Sequence, residues 1–307
     1  MENKEMNFVS AVVYLHNDER RVQPFFSMLA QQLGAHFNKY EIVCVNDAST
    51  DASTSRLKEV SKQLNVPVTL INMSLQQGVE LCMNAGLDMA IGDFVYEFDT
   101  LCAEYDTGLV FAAYQKSLEG NDIVSVSPAK NRNAASGLFY KLFNAFSRSR
   151  YKLQTDTFRL LSRRAINRVH AISENLPYRK AAYAASGLRL AALTYEGAQN
   201  AKETEAARSS RAIDSLILYT DVGYKASLTI AGIMLVITLA ELVYTLCVFL
   251  GGGNPVAGWT TTMLVLTAGF FGVFLILALV IKYLSLLVEL VFKKQKYLVE
   301  SIEKLQS

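Results

Sequence analysis

The sequence predicts an α/β domain on a mainly parallel sheet, followed by an amphipathic interfacial helix and a two-helix membrane hairpin. Three observations lead there. Short β-branched runs alternate with helical patterns through the first two-thirds of the chain. The strand candidates are apolar almost throughout, as strands covered on both faces are. Two long apolar stretches, Ala226–Leu250 and Trp259–Ile281, then flank the hinge Gly251-Gly252-Gly253-Asn254-Pro255.

Taken in order, Phe8–Leu15, Glu41–Val45, Val66–Ile71, Asp93–Phe98 and Asp122–Val126 read as strands. Between them Glu19–Leu33, Thr54–Leu64, Gly78–Ala90 and Tyr105–Leu118 carry apolar residues at helical spacing. Asp18 and Ser53 are good N-cap residue types. Sheets of this kind bind ligands beyond the carboxyl ends of their strands, and polar clusters stand at three such ends. His16-Asn17-Asp18-Glu19 follows the first strand, and Asn46-Asp47-Ala48-Ser49-Thr50-Asp51 follows the second. Glu97-Phe98-Asp99-Thr100 closes the fourth. Acidic groups converging on three strand ends point to a ligand site.

Each apolar stretch exceeds the roughly 20 residues a helix needs to cross a bilayer, and Glu241 is the only formal charge in either. A charge inside a span is expensive and faces a partner. The hinge carries no basic residue, whereas Arg211 and Lys225 precede the first stretch and Lys282, Lys293, Lys294 and Lys296 follow the second. The positive-inside rule then places both termini in the cytoplasm, on a multi-pass inner-membrane protein. Ala206–Lys225 mixes Arg208, Arg211, Asp214 and Lys225 with Ile213, Leu216, Ile217 and Leu218, an amphipathic interfacial pattern. The expected organisation is a cytoplasmic domain over 1–204, an interfacial helix over 205–224, a hairpin over 225–292 and a tail over 293–307.

Composition narrows the function. The 51% hydrophobic fraction is high because of the C-terminal stretches. A net charge of +2 gives no footprint for nucleic acid. Cys44, Cys82, Cys102 and Cys247 show neither zinc-ligand spacing nor a disulfide framework. Met1–Asn7 is polar and Phe8–Leu15 short, so no secretory signal is expected.

Tyr40–Asp51 resembles the nucleotide-binding strand and loop of family 2 glycosyltransferases, which have the GT-A fold. More closely, the chain resembles the polyprenyl-phosphate glycosyltransferases of the dolichol-phosphate mannose synthase group. Ser10–Glu19 is similar to that group's first strand and turn, and Gly78–Asp93 to the helix before its metal-binding strand. Phe158-Arg159-Leu160-Leu161-Ser162 is similar to its Phe-Arg-Leu-Leu segment, and the hairpin with Lys296–Glu300 to bacterial two-span members. Asp99-Thr100-Leu101 stands where the family has Asp-x-Asp, and Lys180-Ala181 where it has Arg-Gly.

The resemblance implies an inverting transfer of a sugar from a UDP- or GDP-linked donor to a polyprenyl phosphate, for decoration of a cell-envelope glycan. It implies a divalent metal, Mg²⁺ or Mn²⁺, on Asp99 acting with Glu97, Glu104 or Asp106. Asp99, Asp156 and Lys180 become the catalytic candidates, with Arg159 and Arg179 beside the diphosphate. His16, Asn17, Asp18 and Asp47 fall in the donor loops, and Lys130, Arg132 and Ser136 on the lipid phosphate. The bacterial relatives also imply a homo-oligomer. Two alternatives stay open: another membrane glycolipid as acceptor, and a degenerate member that binds nucleotide sugar as a membrane scaffold.

Overall fold

Val9–Leu15 (β1) is flanked by parallel strands on both sides, Tyr40–Asn46 (β2) and Phe94–Phe98 (β4), which is why nearly every residue in it is apolar and buried. In this computed structural model residues 4–64, 66–129, 156–172, 179–196 and 297–305 are described, with scattered helical positions between 229 and 287. Two compact units result, Met1–Ser215 with Gln295–Ser307, and Leu216–Lys294.

The first unit is an eight-stranded sheet in the order β7-β5-β6-β4-β1-β2-β3-β8. Val68–Met73 (β3) and Ile123–Pro128 (β5) join the strands above, and Leu190–Tyr195 (β7) pairs parallel with β5. Phe158–Ser162 (β6) runs antiparallel between β4 and β5. Val299–Leu305 (β8) runs antiparallel along β3. The helices are Glu19–His36 (α1), Ser53–Leu64 (α2), Val79–Met89 (α3), Leu109–Leu118 (α4), Arg163–Ile172 (α5) and Arg179–Ala185 (α6). In α1 the buried face Val22, Phe25, Phe26, Leu29 and Leu33 keeps the helical period that the sequence showed.

Two features position the site. Helix α3 lies tightly on β1 and β2: a Cβ on Gly86 would stand 2.2 Å from Val12 Cγ1 and 3.0 Å from Val45 Cγ2. Only glycine permits that approach, which fixes the first turn of α3 over the carboxyl ends of the strands. The second feature is a correction: 299–305, expected as part of a tail, is a strand of the sheet. Chain that leaves the sheet after Tyr195 therefore returns to it at Val299.

In the second unit, a Cβ on Gly272 would stand 2.8 Å from Met234 Cγ, so the two apolar stretches meet there. Leu266, Phe270, Val273, Leu277, Val280, Leu284 and Leu287 are exposed at alternating spacings of four and three residues. Among the described residues no helix is long and apolar enough to cross a membrane. The expected spans 226–250 and 259–281 fall largely, and the interfacial helix 205–224 wholly, outside the described residues.

Candidate active site

Two polar constellations form at the carboxyl ends of the parallel strands, joined by the first turn of α3. The first is centred on Asp47, immediately after β2 and fully buried. Its carboxylate accepts hydrogen bonds from the Tyr14 hydroxyl (2.8 Å) and from the backbone N–H groups of Gln77 (2.7 Å) and Gly78 (2.9 Å). A buried carboxylate requires such donors. Gly78 has φ of 86°, in the left-handed region that favours glycine, and this turns both amides onto Asp47.

His16 Nδ1 lies 2.6 Å from the Asp47 carbonyl oxygen. A carbonyl only accepts, so Nδ1 carries the proton, leaving Nε2 to face the side-chain amides of Gln76 (3.2 Å) and Asn17 (3.3 Å). Asn17 Oδ1 in turn accepts from the Thr50 (2.8 Å) and Asp51 (3.3 Å) N–H groups, stitching the first loop to the second. Asp18 holds the N-cap position of α1 but makes no side-chain capping bond. Its N–H donates to Ser53 Oγ (2.8 Å) and its carboxylate pairs with Arg21 at 3.6 Å, so it braces the loops. The slight burial of Asp51 raises its pKa, but the hydroxyl and N–H of Ser53 and the N–H of Glu19 outweigh this and hold it low.

The second constellation is a buried ion network at the end of β4. The antiparallel register sets Glu97 directly opposite Arg159. Arg159 donates to Glu97 Oε2 (2.7 Å) and to Asp99, and its Nε lies 2.7 Å from Asp156 Oδ2. Arg179 donates to Glu80 (2.8 Å), Glu97 (2.5 Å) and Asp99 (2.7 Å), and Tyr183 donates to Glu97 Oε1 (2.9 Å). Lys180 pairs with Asp156. Burial raises the pKa of Asp99, but Arg159, Arg179 and Lys180 outweigh it and hold the carboxyl well below the usual range.

Exposure decides which members a substrate can touch. Arg179 and Glu97 are 0% exposed and Arg159 2%, whereas the Asp99 side chain is 20% and Lys180 15% exposed. Asp99 and Lys180 are thus the reachable groups. Three expectations change accordingly. Arg159 and Arg179, expected beside the diphosphate, have their guanidinium groups taken up by carboxylates. Glu97, expected as a metal ligand, is enclosed with both oxygens engaged.

Helix α3 connects the constellations: Gln77 and Gly78 hold Asp47, and Glu80, on the first turn that follows, accepts from the Arg179 N–H and Nε. Glu80, Tyr183 and Gln77 were missed by sequence reasoning. Glu80 does share a helical face with Met83, Asn84 and Leu87, and a carboxylate on that buried face was a usable signal. Lys130, Arg132 and Ser136 lie outside the described residues.

Residues 10–183 match the family model for glycosyl transferase family 2. The chain belongs to this family. Among family relatives, an uncharacterized glycosyltransferase of Synechocystis is 27% identical over 187 residues, covering 59% of this chain and 58% of that protein. The bactoprenol glucosyl transferase of Shigella phage SfV is 26% identical over 179 residues, covering 54% and 55%. The chain thus spans little more than half the length of these relatives. Bacillus subtilis CsbB, a putative glycosyltransferase, is 21% identical over 272 residues, covering 84% of this chain and 80% of its own. A mannosyltransferase from Pyrobaculum calidifontis, solved with GDP-Man and Mn²⁺, shares the fold with a TM-score of 0.51, 15% identity and 87% of each chain covered.

For a divalent ion the family site is reduced here. Among the described residues no group of three or more His, Cys, Asp or Glu side chains is placed to hold one. Leu101 is buried where the family's second carboxylate would stand. Of the network's carboxylates Asp99 has the most exposed side chain, with Arg179 on Oδ1 and Arg159 on Oδ2, so an ion there would rest mainly on the substrate's own phosphates and water; Glu104 and Asp106, the other expected partners, are exposed.

Proposed function

We propose that the chain is a membrane-anchored, inverting glycosyltransferase that moves a sugar from a nucleotide diphosphate to a polyprenyl phosphate. The observation that carries this reading is Asp47 and Asp99 at the carboxyl ends of β2 and β4, the strands on either side of β1, one held by backbone amides and the other by arginines. The relationship to bactoprenol glucosyl transferases supports the lipid acceptor.

In this reading the Asp47 loop, with His16 and Asn17, receives the nucleotide. Asp99 and Lys180 line the diphosphate end, and Lys180 supplies a cation to the departing nucleotide diphosphate. A divalent ion bound at Asp99 would supply further neutralisation of that leaving group. The nucleophile is a phosphate oxygen, largely dianionic at neutral pH because its second pKa is about 6, so no strong general base is required. Arg159 and Arg179 act indirectly: they keep Asp99 ionised and oriented. The bond that forms joins the acceptor oxygen to the anomeric carbon, and the bond to the nucleotide diphosphate breaks on the opposite face.

Three observations support the anchor. The apolar stretches Ala226–Leu250 and Trp259–Ile281 are long enough to span a bilayer. The exposed apolar row from Leu266 to Leu287 is of a kind that soluble surfaces avoid. Chain leaving β7 and re-entering the same sheet at β8 must cross any membrane an even number of times, as a hairpin does. Both termini would then lie on one side, the cytoplasmic one by the lysines that follow the second stretch.

The test is transfer of labelled sugar from a panel of UDP- and GDP-sugars to undecaprenyl phosphate, by full-length protein in detergent, with Mn²⁺, Mg²⁺ or EDTA. A lipid-linked product lost in Asp99→Ala supports the reading. Absence of both nucleotide binding and lipid product would sink it.

A further inference from the structure

We infer that the C-terminal strand is a working part of the donor site, and that Gln77 is the positioning residue through which it holds the nucleotide loop on Asp47. This rests on the donor reading above.

The loop between β3 and α3 covers residues 74–78, and Ser74, Leu75 and Gln76 in it are exposed. A short exposed loop keeps one conformation only where something outside it holds it. Inward, the Gln77 and Gly78 amides go to Asp47 and the Gln76 side chain to His16. Its outward bonds go to Leu298, just before β8. Gln77 Nε2 donates to the Leu298 carbonyl (2.7 Å) while the Leu298 N–H donates to Gln77 Oε1 (2.8 Å). That amide pair closes like a rung of a β-ladder. The Ser74 N–H (3.2 Å) and hydroxyl (3.3 Å) reach the same carbonyl. Gln77 therefore binds Asp47 with its main chain and the C-terminal segment with its side chain.

A second route runs in parallel. The Asn72 side-chain amide donates to Ser301 Oγ and Glu303 Oε1 (3.0 Å each), and its Oδ1 accepts from Asn46 (3.0 Å). Asn46 Oδ1 accepts the Ser49 N–H (3.1 Å) inside the Asp47 loop. Tyr297 also donates to Asp88 on α3 (2.9 Å). Chain that follows the second apolar stretch is thus tied to the loop after β2, to the loop after β3 and to α3. None of these bonds is made by Asp99 or Lys180, so displacement of this segment would act first on the nucleotide loop.

The experiment uses full-length protein in detergent and three variants: Gln77→Ala, Leu298→Pro, which removes the opposing N–H, and the double variant. UDP and GDP binding are measured calorimetrically, alongside donor and acceptor kinetics. Each single variant is expected to weaken nucleotide binding and raise donor KM about tenfold, the loss expected for a hydrogen-bonded pair. Values of kcat and acceptor KM should stay within about twofold, and the double variant should be no worse than either single by more than about twofold. Unchanged nucleotide binding, or a loss confined to kcat, overturns the inference. Amide exchange at Gly78 reads the clasp without any nucleotide: its protection should fall in Gln77→Ala, and unchanged protection overturns the clasp. If neither UDP nor GDP binds the unaltered protein, the donor reading itself fails, whatever the exchange shows.

Discussion

Replacing Arg179 with Met should unfold the protein more readily than any single change at the open edge of the same network. Arg179 is fully buried and donates to three carboxylates, Glu80, Glu97 and Asp99. Without it Glu97 and Glu80 each lose a buried cation, and Arg159 is left as the only guanidinium on Glu97. Removing one partner of a buried ion pair costs about 3–5 kcal/mol, because the other charge stays buried and unpaired. Of a domain's total of about 5–15 kcal/mol that is a large share. At 2–4 °C per kcal/mol for a domain of this size, the midpoint should fall by roughly 6–20 °C. Lys180→Met is the control: Asp156 keeps Arg159 when Lys180 is removed, so the stability loss should be smaller than that of Arg179→Met, and the main effect should fall on turnover. Thermal melts of the full chain in detergent, with transfer assays on the same samples, separate the two. Equal melting of Arg179→Met and unaltered protein would refute the description of the network as a buried support for Asp99.

Asp47→Ala should weaken nucleotide binding at least about tenfold by calorimetry, since it frees the 77–78 amides along with the Tyr14 hydroxyl. Gly86→Ala should lower stability by about 1–3 kcal/mol in thermal melts, because its Cβ would overlap Val12 where α3 meets β1. The depressed Asp99 pKa, arising from its arginines and Lys180, sets the sign of the pH dependence. Its stabilisation is complete above the unfolded value of about 4 and is lost as pH falls through the folded value. Melting should therefore be insensitive to this group between about pH 5 and 8 and fall below about pH 4; in Asp99→Asn the acid-side fall should be shallower.

The alternating half of the fold was legible because each strand carried its own signal. The expected strands at Phe8–Leu15 and Glu41–Val45 fall within a residue or two of Val9–Leu15 and Tyr40–Asn46. Strand β6 was not, because Arg159 interrupts an apolar run and its partner Glu97 lies 62 residues away. Strand β8 reads locally as a charged, half-exposed segment, and its pairing with β3 spans more than 220 residues, beyond any local period. The site divides in the same way. Asp47, His16 and Asn17 announced themselves by standing just after strands. Arg159 and Arg179 looked like free cations because sequence shows charge but not the carboxylates that consume it.

Whether the acceptor is a lipid phosphate is decided by comparing three acceptors at one donor concentration. They are undecaprenyl phosphate, the uncharged alcohol of the same chain length, and a membrane glycolipid offering only sugar hydroxyls. Transfer confined to the phosphate, with inverted anomeric configuration in the product, is expected. Transfer to the alcohol or the glycolipid at a comparable rate would contradict the account, because it would require a general base that the reading does without.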